Sequence, residues 1–84
     1  MPWSLYMVRC SDGSLYTGIT TDIARRLNEH NNTRKGAFYT RNKVPVELVY
    51  KEPVADQSAA LKREAQIKSL TRKKKLELIQ PTRI

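Results

Sequence analysis

The stretch Trp3-Ser4-Leu5-Tyr6-Met7-Val8-Arg9-Cys10-Ser11-Asp12-Gly13-Ser14-Leu15-Tyr16-Thr17-Gly18-Ile19-Thr20 decides the fold. Trp3 to Cys10 alternates and is rich in aromatic and aliphatic residues, the pattern of a strand. Ser11-Asp12-Gly13 is a turn signal, and Ser14 to Thr20 reads as the return strand. The length of the turn sets which side chains share a face. A two-residue turn at Asp12-Gly13 puts Tyr6 and Tyr16 on opposite faces. A three-residue loop with Gly13 left-handed shifts the pairing by one. Tyr6 then pairs with Gly18 and Val8 with Tyr16. One face becomes Trp3, Leu5, Met7, Leu15, Thr17 and Ile19, nearly all core-like. The other becomes Ser4, Tyr6, Val8, Tyr16, Gly18 and Thr20, two phenols beside the gap left by a glycine. The second register segregates the side chains better and is preferred. Tyrosines also suit half-buried strands for purely structural reasons.

Outward from the hairpin, Thr20 or Thr21 caps a helix with Asp22 in its first turn, running to about Asn31. Asn32 to Pro45 is polar and basic and reads as a loop. Val46 to Glu52 reads as a third strand, broken by Pro53. Asp56 caps a second helix to about Ser69, and Thr71 a third to about Ile79; Pro81 ends regular structure. The order β-β-α-β-α-α predicts an α+β class, a small sheet flanked by helices, in a single domain over residues 1–84 with its core at about 3–80.

Composition narrows the function. The chain has 84 residues, 39% of them hydrophobic, with a formal charge of +8. One cysteine and one histidine exclude a disulfide scaffold and a cysteine-based zinc site. No apolar run is long enough to span a membrane, and no secretory leader opens the chain, so a cytoplasmic location is expected. Residues 1–30 are neutral, 31–56 carry +2 with Arg34, Lys35, Arg41 and Lys43 among their bases, and 57–84 carry +6. Nucleic acid is the natural partner for such a surface, and no amphipathic basic helix with large apolar residues argues for a membrane. Lys62, Arg63, Arg72, Lys73, Lys74 and Lys75 are the candidate phosphate contacts; a lysine run is also what a solvated helix start looks like.

Two helices put polar residues on apolar arcs. In the first, with Ile23 and Leu27 facing the core, His30 falls inside the stripe and Arg26 on its edge, while Arg25, Asn28 and Glu29 point away. A helix-end histidine and a snorkelling arginine are the structural alternatives. In the second, Glu64 lies between Leu61 and the Ala60/Ile67 pair. There it needs a partner or a metal, or it simply pairs with Lys68 one turn on. Together, two phenols, an Arg–His pair and an inward carboxylate suit phosphodiester cleavage: a base, a cation for the phosphorane and a hard-metal ligand.

These residues, Ser4-Leu5-Tyr6, Tyr16-Thr17-Gly18, Arg26, His30 and Glu64, resemble the GIY-YIG nuclease superfamily, above all its short stand-alone bacterial members. The resemblance spans about residues 3–80. It implies a three-stranded antiparallel sheet flanked by helices and metal-dependent hydrolysis of nucleic-acid phosphodiesters. It further implies Tyr6 as general base, Tyr16 near the nucleophile, Gly18 leaving room for the substrate backbone and Arg26 on the phosphate. His30 would orient the catalytic groups, and Glu64 would hold one Mg²⁺ or Mn²⁺. The first triplet lacks the family's opening glycine, and no asparagine follows Asn42 to match the one that larger members place beyond the glutamate. DNA, branched or single-stranded, is expected ahead of RNA. The alternative is a catalytically silent basic DNA- or RNA-binding module, or a ribosome-associated accessory protein.

Overall fold

The computed structural model describes residues 2–32 and 43–79. The elements run β1 (Trp3–Arg9), β2 (Leu15–Thr20), α1 (Ile23–Asn32), β3 (Glu47–Val54), α2 (Gln57–Lys68) and α3 (Arg72–Ile79). The three strands form one antiparallel sheet in the order β2-β1-β3. Most of the stretch expected to be a loop, with Arg34, Lys35 and Arg41, and the expected end at Pro81 lie outside the described residues.

The hairpin adopts the three-residue loop. Gly13 has φ of 86°, a left-handed angle that side chains disfavour and glycine does not. Cys10 N–H donates to Ser14 O at 2.8 Å, closing the loop. Ser4 then pairs with Thr20, Tyr6 with Gly18 and Val8 with Tyr16. β1 is the central strand, paired on both edges, and with helices packed on both of its faces Leu5, Tyr6, Met7 and Val8 are all buried. On one face Leu5 and Met7 meet Ile67 of α2, with Leu70, Leu78 and Ile79 alongside. On the other Tyr6, Val8, Cys10 and Val46 pack against Ile23 and Leu27 of α1.

Three local expectations are corrected. Pro53 does not break β3; the strand continues through it to Val54. β3 is an edge strand, where a residue lacking its N–H is tolerated. The cap of α1 is Asp22 rather than a threonine, its Oδ1 accepting from Arg25 N–H at 3.0 Å. Thr20 serves one step earlier, its hydroxyl oxygen accepting from Asp22 N–H at 3.1 Å. In α2 the buried arc is Ala60 and Ile67 alone, while Leu61 is 50% exposed. Asp56 and Thr71 cap α2 and α3 as the sequence indicates, accepting from Ala59 and Lys74 N–H.

Candidate functional site

The site is built outward from Gly18. Because Gly18 and Tyr6 are register partners on one face, the Tyr6 ring lies over the glycine. A Cβ added at Gly18 would stand 2.6 Å from Tyr6 Oη and 2.8 Å from Cζ. The missing side chain therefore makes room for a phenol of the same molecule. Over this gap Tyr6 Oη reaches His30 Nε2 at 2.9 Å. His30, in the last turn of α1, is 2% exposed. Tyr16 completes the cluster, its ring centroid 6.4 Å from that of Tyr6 and 5.5 Å from that of His30, edge to face with the imidazole.

Asn31, next in sequence, explains how His30 is fixed. Its side chain accepts from Val46 N–H at 2.7 Å and donates to Val46 O at 3.0 Å. The amide thus takes the place of a strand neighbour and ties the end of α1 to the start of β3. Asn31 and Val46 are 15 residues apart in sequence, so helical periodicity gives no sign of the tie.

Arg26 stands one turn before His30, its guanidinium 3.0 Å from Glu29 Oε1. Glu29, assigned to solvent from the helical wheel, is instead half-buried beside Arg26, with Arg25 at 3.9 Å on its other oxygen. The i, i+3 spacing of Arg26 and Glu29 was the available signal.

Electrostatics follow from burial. Desolvation lifts the Tyr6 phenol from 10.0 to about 12; Arg26 pulls it down, and the charges of Tyr16 and Glu64 push it up. Desolvation and the nearby Arg26 charge lower His30 below its ordinary value, with Glu29 opposing. The imidazole is therefore neutral near pH 7 and able to accept a hydrogen bond at Nε2. For Arg26, desolvation would lower its pKa, but the Tyr6 phenol and Glu29 outweigh it and hold the guanidinium charged.

Glu64 and Arg63 occupy opposite flanks of the buried arc of α2, about 50° to either side of it on a helical wheel. Glu64 lies on the flank whose charge reaches Tyr6. Its carboxylate is 20% exposed and pairs with Lys68 Nζ at 3.3 Å. A hard divalent ion held here would take Glu64 in place of Lys68 and draw its other ligands from water and phosphate. Among the described residues no group of three or more His, Cys, Asp or Glu is placed to hold a metal.

Arg63 is drawn the other way. Its Nε donates to Glu52 Oε2 at 2.7 Å, and Tyr50 donates to the other oxygen of Glu52 at 2.5 Å. It is therefore engaged in joining α2 to β3. Of the remaining candidate contacts, Lys62, Arg72, Lys73 and Lys74 are exposed and Lys75 is half-buried. Arg72 donates to Gly13 O at 3.1 Å across the hairpin loop.

Comparison with known proteins gives this site a family context. The model of the GIY-YIG catalytic domain matches residues 2–77. The UPF0213 protein DP2720 of Desulfotalea psychrophila is 56% identical over 77 residues, covering 92% of this chain and 70% of its own length. The UPF0213 protein HQ_3675A of Haloquadratum walsbyi is 57% identical over 74 residues, 88% of this chain and 82% of its own. Two solution NMR structures are similar in fold. The UPF0213 protein BH0048 of Bacillus halodurans has a TM-score of 0.60 at 40% identity, covering 94% of this chain and 83% of its own. The protein EF2693 of E. faecalis has a TM-score of 0.62 at 44% identity, covering 89% and 79%.

Proposed function

The chain belongs to the GIY-YIG catalytic domain family, and from that membership we propose that it is a cytoplasmic, metal-dependent nuclease acting on DNA, branched or single-stranded. The family implies a nucleic acid substrate and nuclease-type activity. The observation that carries the finer reading is the Tyr6–His30 pair, a buried phenol 2.9 Å from a neutral imidazole nitrogen.

With His30 protonated on Nδ1, Tyr6 Oη donates to Nε2, and the phenol's lone pair faces the attacking water. Tyr6 takes the proton from water as its own proton moves toward His30 Nε2, so no free phenolate has to form in a buried place. Arg26, oriented by Glu29, hydrogen-bonds the non-bridging oxygens and offsets the charge that develops on the phosphorane, which a lysine could not do in two-pronged fashion. Tyr16, half-exposed at the rim, orients the water or the scissile phosphate. Glu64 would hold the divalent ion, Mg²⁺ or Mn²⁺, which when bound supplies stabilisation of the leaving oxygen.

The test is cleavage of labelled branched and single-stranded DNA with Mn²⁺. Tyr6→Phe, Arg26→Ala and Glu64→Ala are each expected to lower the rate by about 10²-fold or more. Equal cutting by wild type and all three variants would sink the mechanism. Tight binding with no metal-dependent cutting would instead mark a silent binding module.

A further inference from the structure

Beside Tyr16 the surface forms a groove that the proposed mechanism does not use. It is lined by Leu15, Tyr16 and Thr17 of β2 together with Lys68 and Lys75. The two lysines come from different helices, one at the end of α2 and one within α3, and converge on the outer edge of the sheet. In the sequence Lys75 is the third member of a uniform run; in the structure it parts from Lys73 and Lys74. Those two are exposed, whereas Lys75 is half-buried and lines the groove, the partial burial an amphipathic side chain adopts when its head serves a polar site. Lys68 keeps 53% of its side chain exposed and stands 3.3 Å from Glu64. Among the described residues no carboxylate lines the groove itself; Glu64, the partner of Lys68, stands beside it.

We infer that Lys68 and Lys75 form a phosphate subsite next to Tyr16, seating the phosphodiester that neighbours the scissile one. Two ammonium groups at the wall of a groove, with no lining carboxylate, suit an anion whose oxygens accept charge-assisted hydrogen bonds. A nucleic-acid strand supplies such anions at regular spacing. Tyr16 faces the Tyr6–His30 pair on one side and this groove on the other, so a strand lying along the β2 edge delivers one phosphate to the cutting site and the next to the lysines. Lys68 serves in turn as partner of Glu64 and of phosphate. This assignment rests on the nuclease reading above, which supplies the strand.

The experiment is binding of a short labelled single-stranded DNA in EDTA, followed by anisotropy over a range of salt, so that cutting does not enter. Lys68→Gln and Lys75→Gln are each expected to weaken binding about 3- to 10-fold and to flatten the salt slope by about 0.7. Lys74→Gln should change binding less than either. Glu64→Gln, which releases Lys68, should tighten binding, and that gain should vanish when Lys68 is also replaced. The same losses are expected with RNA of the same sequence, because the subsite touches phosphate and not sugar; a loss confined to DNA would overturn it. So would wild-type affinity and slope in both lysine variants, with the nuclease reading left standing if the protein still cuts. If the lysine variants lose binding but wild type cuts nothing with any divalent metal, the subsite stands and the nuclease reading falls. Failure of wild type to bind either nucleic acid overturns both.

Discussion

At Tyr6 the burial that places the phenol over Gly18 also opposes its ionisation, lifting its pKa from 10.0 to about 12. The consequence for stability has a definite sign. Between those two values the unfolded chain has lost the phenolic proton and the folded chain keeps it. Stability from this group is therefore complete below about pH 10 and lost as pH rises toward 12, by about 1–3 kcal/mol in all. Chemical denaturation from pH 9 to 12 should show a drop in wild type that is smaller in Tyr6→Phe, the comparison removing the contributions of other titrating groups. On the acid side His30 has the opposite sign. Its pKa is lowered by burial and Arg26, so its contribution is present above the ordinary histidine value and lost as pH falls through the depressed one. The same energetics bear on the proposed catalysis: burial works against Tyr6 as a base, the Arg26 charge opposes that effect, and a divalent ion at Glu64 would oppose it further.

At the scale of elements, α2 is the part whose reading from sequence was least complete. A helical wheel centred on Leu61 takes that residue as the core residue. In the structure Leu61 is half-exposed and the helix sits on Ala60 and Ile67, because small Ala60 lets the backbone approach the sheet while Ile67 fills the space above Leu5 and Met7. Recentred on that pair, the wheel explains both flanks, with Glu64 toward the tyrosines and Arg63 toward β3. Glu52 was not legible as the partner of Arg63, since nothing local joins residues so far apart on different elements. Arg63→Met is accordingly expected to lower stability by about 1 kcal/mol, seen as a lower Tm, while leaving the salt dependence of nucleic-acid binding unchanged. A flattened slope in that variant would return Arg63 to the phosphate contacts.

For the whole molecule, the charge split remains the most informative property of the sequence, but the structure redraws it. The neutral first thirty residues do hold Tyr6, Tyr16, Arg26 and His30 together, as the hairpin register and the Arg–His spacing indicated. These were legible because each depends on periodicity within one element or across one tight turn. The basic second half divides by what each side chain does: Arg63 bonds Glu52, Arg72 bonds the hairpin loop, and Lys75 turns to the β2 edge. Such divisions depend on which elements meet, and no spacing along the chain encodes that.

The two-sided cover of β1 sets how the molecule opens. Its amides bond to strands on both edges and its side chains are buried on both faces. α3, by contrast, has no fully buried residue. Native-state hydrogen exchange is therefore expected to be slowest at Leu5 to Val8, through global unfolding only, and much faster in α3, through local fraying. Equal protection in the two would contradict this ordering. With it, the basic helix can detach and re-form many times while the phenol–imidazole pair stays assembled, so the two parts of the proposed site, lysine grip and cutting groups, would lose order separately.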